Sequence, residues 1–228
     1  MNPDDARVAR LQARLPHFAR KVAAAKEVIA ETIADHPQCF VAYSGGKDST
    51  ALLWLAREVQ PDIEARILLW PESELLGNFA EIIAAWRECG ANIRELHLTR
   101  SSVAEKNKDK WRRLNDLAPA TAVFIGLRAS ESSQRRIALH RYGVVHRRSS
   151  DGRVRVCPLA WWSTHDIAAA IHANNLPMLN RYDESIDVRT STRVVARAGI
   201  GKRILHDMHE RDPAAWARLR SIYPEDEI

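Results

Sequence analysis

The chain has 228 residues, enough for one domain with a full core. Its hydrophobic and charged fractions, 46% and 28%, are those of an ordinary globular protein and exclude a disordered or low-complexity chain. The net charge of +5 fits an anionic ligand, whether nucleotide or nucleic acid, without choosing between them. Cys39, Cys89 and Cys157 lie far apart, and no C-x-x-C pair exists, which excludes a zinc ribbon or a dithiol redox motif. An odd cysteine count behind a polar, acidic N-terminus unlike a secretory leader sets the expectation of a reducing cytoplasm. No apolar run approaches the ~20 residues of a membrane helix, so no membrane partner is expected.

Residues 6–35 read as helix, broken or restarted near Pro16, because Phe18, Val22, Ala25, Ile29 and Ile33 recur at steps of three or four. Its basic residues Arg14, Arg20, Lys21 and Lys26 read as a solvated face. Pro37 closes this stretch, making 1–38 a helical segment packed on the core. Strand one is 39–43, and its helix runs from 48 to 59, before Pro61. Strand two is 65–70. A helix over 75–89 puts Leu75, Leu76, Phe79, Ile82, Ile83 and Trp86 on one face, with Gly90 at its C-cap. Residues 92–98 form strand three, 101–117 a helix, and 121–125 strand four. Two short strands, 143–147 and 153–157, flank a basic turn. Ser163 and Asp166 have capping-box spacing for a helix over 164–174. Residues 180–204 read as loop and weak helix, and Asp212-Pro213 starts a last helix.

Strands alternating with helices predict an α/β fold with a parallel sheet and right-handed crossovers. Ligands of such sheets sit beyond the carboxyl ends of the strands, at a switch in strand order. Three polar clusters fall at those ends: 44–49, 72–74 and 126–136.

The stretch from Cys39 to Thr50 has the order strand, glycine turn, helix. Gly45 and Gly46 let a bulky anion approach the backbone. A helix starting near Asp48 offers unpaired N–H groups and the positive end of its dipole, a ready site for phosphate or pyrophosphate. Ser44, Ser49 and Thr50 add hydroxyls, and Lys47 adds charge. The loop is not a Walker A motif, because Asp48 stands where that pattern needs Ser or Thr. An ordinary glycine turn before a helix is the plainer alternative. Ser44-Gly45-Gly46-Lys47-Asp48-Ser49 nevertheless resembles the pyrophosphate loop of the ATP pyrophosphatases, which cleave ATP between the α- and β-phosphates, adenylate a substrate and release pyrophosphate.

In the third cluster Gly126 ends a strand, Arg128 lies at the sheet's carboxyl edge, and Arg135 and Arg136 fall on the next helix. Arginine forks bind phosphate or sulfate bidentately, while a surface helix with scattered charge is the alternative. Glycine, arginine, the acidic-serine pair Glu131-Ser132 and then arginine is similar to the second signature of the phosphoadenosine phosphosulfate (PAPS) reductase family. A third match runs from Cys157-Pro158-Leu159-Ala160-Trp161-Trp162-Ser163-Thr164-His165-Asp166-Ile167 to Leu176-Pro177 and Tyr182-Asp183. The segments together span 41–183. The resemblance implies a Rossmann-like parallel sheet of the adenine nucleotide α-hydrolase type over 39–183, with 184–228 a C-terminal helical and loop extension.

By that resemblance, Ser44, Gly45, Gly46, Lys47, Ser49 and Thr50 hold the phosphates of ATP, and Asp48 helps place Mg²⁺. The backbone near Ala42 and Trp70 receives the adenine, with Gly126 also against the nucleotide. Arg128, Glu131, Arg135 and Arg136 hold the acceptor anion or offset charge on the α-phosphate, and Lys47, Asp48 and Arg128 form the catalytic set. Glu72 and Glu74 read equally as helix caps. Cys39 and Cys89 read as core residues.

Two departures bear on activity. PAPS reductases carry a nucleophilic cysteine in a C-terminal Glu-Cys-Gly-Leu-His segment, and here no cysteine follows Cys157. Iron–sulfur ligation of the related adenylyl-sulfate reductase type needs four cysteines, and three are present. The complete pyrophosphate loop, which the reductases lack, argues for ATP itself. The expected activity is therefore adenylation of an acceptor. A sulfonucleotide reductase or inactive relative is one alternative. A non-catalytic nucleotide- or nucleic-acid-binding module using the basic run from Arg135 to Arg155 is the other. Sulfate, tRNA and DNA all remain open as acceptor, and so does a homo-oligomer.

Overall fold

The computed structural model describes residues 1–98, 110–147, 151–183, 185–187, 205–206, 208–210 and 212–223. Two helices come first, α1 (Pro3–Ala13) and α2 (Pro16–Asp35), each opened by a proline at its first turn. Next come β1 (Cys39–Ala42), α3 (Lys47–Val59), β2 (Ala65–Leu69), α4 (Phe79–Glu88), β3 (Ile93–His97), α5 (Lys110–Asp116), β4 (Ala122–Phe124) and α6 (Ser133–Tyr142). The hairpin β5 (Val145–Arg147) and β6 (Val154–Val156), α7 (Thr164–Ala173) and α8 (Pro213–Ile222) complete the order.

The strands form one six-stranded sheet of order β3-β2-β1-β4-β6-β5. All neighbours are parallel except β5, which runs antiparallel to β6. β1 lies between β2, the next strand in sequence, and β4, so the strand order reverses at β1. This puts the loop after β1 and the loop after β4 side by side at the carboxyl edge.

Side chains alternate across the sheet. Val41 and Phe124 face the larger core, built with α2, α3, α4 and α7. Phe40 and Val123 face a smaller core under Leu114 of α5. Arg66 is the buried exception. Its guanidinium lies 4.1 Å from the Phe40 ring and donates to the Leu114 and Ala118 carbonyls at 2.6 and 2.7 Å, while Glu64 supplies the countercharge.

Three sequence expectations need correction. The helix expected over 75–89 begins at Phe79, after a separate 3-10 turn at Ser73–Leu75. Gly77 and Asn78 break it, and a Cβ on Gly77 would lie 3.0 Å from the Leu179 side chain. Cys89 is exposed at the C-cap of α4 rather than in the core. Lys21 and Lys26 do not form a merely solvated face, because they pair with Asp166 and Glu58 at 2.6 and 3.1 Å. Of the helix expected over 101–117, residues 101–109 lie outside the described residues, as does most of 184–204. Among the described residues, no helix is long and apolar enough to cross a membrane.

Asp166 fastens the N-terminal helices to the domain. Its fully buried carboxylate accepts from Lys21 Nζ at 2.6 Å, Gln12 Nε2 at 2.7 Å and the Ser163 amide at 2.7 Å. Burial pushes its pKa up, but the hydrogen bonds from Lys21, Ser163 and Gln12 outweigh burial and leave it below the ordinary carboxylate value. A depressed folded pKa contributes stability above the unfolded value near ~4, and that stability is lost as pH falls through the folded value. Asp166→Ala is therefore expected to lose about 3 kcal/mol in urea unfolding at pH 7, with the gap to wild type narrowing below about pH 4. A loss under about 0.5 kcal/mol, the range of ordinary surface changes, would contradict this anchoring.

Candidate functional site

The loop Tyr43–Gly46 joins β1 to α3 at the switch in strand order. Gly45 has φ +69°, and a Cβ there would stand 2.6 Å from the Phe79 ring, so the position requires glycine. Gly46 is the N-cap of α3 and has no side chain to cover the first amides. Ser49 closes the loop on itself. Its hydroxyl accepts from the Ser44 amide at 3.1 Å, donates to the Gly46 carbonyl at 2.9 Å and lies 3.1 Å from Ser44 Oγ.

Thr50 is fully buried. Its amide donates to the Gly46 carbonyl, and its hydroxyl lies beside that of Tyr43. This side chain supports the loop from below instead of lining its open face, contrary to the expected phosphate contact.

Lys47 is nearly buried, with Nζ 3.7 Å from Asp48 Oδ2 and 5.5 Å from the centre of the Tyr182 ring. The Lys47 amide donates to the Tyr182 hydroxyl at 3.2 Å. Tyr182 thus touches both the backbone and the charge of the loop's lysine. In the sequence it stood out only as part of the Tyr182-Asp183 pair, 135 residues from its partner. A tyrosine beyond a Leu-Pro turn is the one local signal that could have marked it.

Arg128 is 3% exposed and does not stand open at the sheet edge as expected. Nε donates to Asp48 Oδ1 at 2.6 Å, and Nη1 donates to Ser130 Oγ at 2.8 Å and the Trp162 carbonyl at 3.3 Å. Gly126 makes this approach possible, because a Cβ there would lie 3.0 Å from the Asp48 carbonyl carbon and 3.1 Å from the Ser49 nitrogen. Burial pushes the Asp48 pKa above its ordinary value, against the opposing pull of Lys47 and Arg128.

Asp48 faces a cation with each oxygen, Arg128 with one and Lys47 with the other. Among the described residues no cluster of three His, Cys, Asp or Glu could hold a metal ion. The arrangement does not fit Asp48 as a ligand of Mg²⁺, since both oxygens are already turned to positive charge.

Glu131 accepts from the Arg128 amide at 3.1 Å and pairs with Arg135. Arg135 and Arg136 stand exposed on the first turn of α6, Arg135 held by Glu131 rather than converging with Arg128 on Asp48. Ala42 and Trp70 are partly buried in the same cluster at the carboxyl ends of β1 and β2. Glu72 and Glu74 are structural here. Glu72 is fully buried and accepts from the Tyr223 hydroxyl of the C-terminal segment at 2.7 Å, and Glu74 accepts from the Ala80 amide at the start of α4.

Glycine turn, helix N-terminus, lysine and anchored arginine at a switch point define an α/β protein of the pyrophosphate-loop class. The phosphoadenosine phosphosulfate reductase domain family matches residues 38–188, and the chain belongs to that family. The fold is similar to FMN adenylyltransferase from Candida glabrata in complex with FMN and the ATP analogue AMPCPP (TM-score 0.59, 14% identity, 78% of this chain and 66% of that one). It is also similar to the same enzyme in complex with ATP (TM-score 0.56, 16% identity, 78% and 67%). A third likeness is to PAPS reductase from Candida auris in a phosphate complex (TM-score 0.50, 14% identity, 78% and 89%). At these identities the likeness establishes the fold. This chain spans about two thirds of the FMN adenylyltransferase chain. No curated protein matches the sequence.

Cys157 lies beyond β6, almost fully buried, and burial pushes its thiol up to about 11 with Arg155 pulling the other way. Burial also pushes Cys39 up to about 11. At pH 8 such a thiol is only about one part in a thousand thiolate, too little for a redox nucleophile. With an aromatic disulfide reagent at pH 8, Cys89 is expected to react at once, and Cys157 only after unfolding. Prompt native-state labelling of Cys157, read by peptide mass, would contradict its burial.

Proposed function

We propose that this protein binds ATP with its β- and γ-phosphates on the Ser44–Ser49 loop, cleaves it between the α- and β-phosphates, and adenylates an acceptor. The observation that carries the reading is the complete loop at the switch point, with uncapped helix amides and Lys47 Nζ beside Asp48 at the first turn of α3. Family membership and the fold shared with FMN adenylyltransferase support it. An acceptor oxygen bonds to the α-phosphorus as the bond to pyrophosphate breaks. The α3 N-terminus and Lys47 offset charge growing on the departing pyrophosphate. Lys47 is positioned for this by Asp48, and Asp48 by Arg128. Arg128 is accordingly a positioning residue in this proposal, because its described contacts are to Asp48, Ser130, Glu131 and Trp162. Any magnesium enters as part of the nucleotide's own salt, and no step depends on a protein-held metal.

Sulfonucleotide reduction is disfavoured. That chemistry needs a thiolate attacking sulfur, and the candidate cysteine nearest the site is buried with a raised pKa. The ATP-side residues proposed are Ala42, Ser44, Gly45, Gly46, Lys47, Ser49, Trp70 and Gly126, with Thr50 supporting the loop.

Pyrophosphate release from magnesium ATP, measured across acceptors that include sulfate, FMN, tRNA and DNA, tests the proposal. One acceptor class is expected to stimulate release in the wild type. Lys47→Ala is expected to lower that rate at least 100-fold, about 3 kcal/mol of transition-state stabilisation. ATP binding with no release under any acceptor would contradict adenylyl transfer.

A further inference from the structure

A cleft of about 440 Å³ opens between α6 and the β5–β6 hairpin. This volume is within the range of small-molecule sites. Its floor is apolar, made by Ile125, Leu127 and Leu139, and its rim carries Tyr142, Arg147 and Arg155. No carboxylate lines it among the described residues. Arg147 donates to the Gly152 carbonyl at 2.7 Å, a neutral partner that leaves its charge uncompensated by that contact. Tyr142 is 54% exposed, so the apolar wall faces solvent instead of closing on itself.

The cleft shares a wall with the phosphate loop. Ile125 and Leu127 flank Gly126, and Gly126 is the residue that packs on the Asp48 and Ser49 backbone. Their side chains belong to the cluster under α6, whereas α3 belongs to the larger core on the other face. The end of β4 is therefore all that separates the two.

We propose that this cleft receives the acceptor, and that the acceptor is an amphipathic organic anion. An apolar body rests on Ile125, Leu127 and Leu139, and a carboxylate or phosphate faces Arg147 and Arg155. The acceptor role rests on the adenylation reading, while the binding preference stands on the cleft's own chemistry. Inorganic sulfate, which has no apolar body, would not fill it.

The test uses 8-anilinonaphthalene-1-sulfonate as probe and N-phenyl-1-naphthylamine as its uncharged counterpart, both followed by fluorescence on the full chain. One saturable sulfonate site is expected, with the uncharged probe binding at least tenfold more weakly. Ala138→Trp fills the cleft from a solvent-facing position of α6, so folding is not at stake. It is expected to abolish probe binding and leave ATP affinity within twofold. The Arg147→Gln, Arg155→Gln double variant is expected to weaken the sulfonate probe at least tenfold and the uncharged probe less than twofold. Absent saturation, or probe binding unchanged in these variants, overturns the site. Acceptor-stimulated pyrophosphate release that survives Ala138→Trp overturns the acceptor role. Failure of the wild type to release pyrophosphate counts against adenylation alone, because the fluorescence arm reads the cleft without it.

Discussion

The hydrogen-bonded ion pair between Arg128 and Asp48 is the contact on which the site depends. At 2.6 Å, and with Arg128 almost wholly buried, it ties the end of β4 to the first turn of α3. Gly126 gives the space for it, and Ser130 and the Trp162 carbonyl hold the guanidinium in place. Trp162 directly precedes the α7 cap, where Ser163 meets Asp166, and Asp166 is held in turn by Lys21 and Gln12 of the N-terminal helices. A continuous set of polar contacts thus runs from the first two helices to the loop. A buried charge pair of this kind is costly to break from one side, because the remaining partner stays desolvated.

Much of this architecture was legible in the sequence. Strands of apolar residues followed by turn residues placed β1, β2, β3 and β4 within a residue or two. The capping-box spacing of Ser163 and Asp166 fixed the start of α7, and Asp212-Pro213 that of α8. The glycine turn after β1 was readable because its chemistry is local: φ above zero at Gly45, no side chain at Gly46, a hydroxyl three residues on.

What the sequence hid was long-range. Nothing near Arg128 says that its guanidinium turns inward to Asp48, 80 residues earlier, rather than outward to an anion. Nothing near Tyr182 says that its hydroxyl meets the Lys47 amide. Glu72 read as a helix cap or an active-site acid, and became a buried partner of Tyr223, 151 residues later. The helix over 75–89 was misread because its apolar period continues through Gly77 and Asn78, where the backbone breaks. Each case is a pattern whose meaning is fixed by a tertiary partner and not by its neighbours in the chain.

The central claim is that the Ser44–Ser49 loop and Lys47 bind the outer phosphates of ATP. Calorimetric titration of ATP against AMP tests it directly, since the two share the nucleoside and the α-phosphate. The account predicts that ATP binds at least 100-fold more tightly than AMP, about 3 kcal/mol, and that most of this difference disappears in Lys47→Ala. Equal affinity for AMP and ATP, or a preference for ATP that survives loss of the lysine, would contradict it.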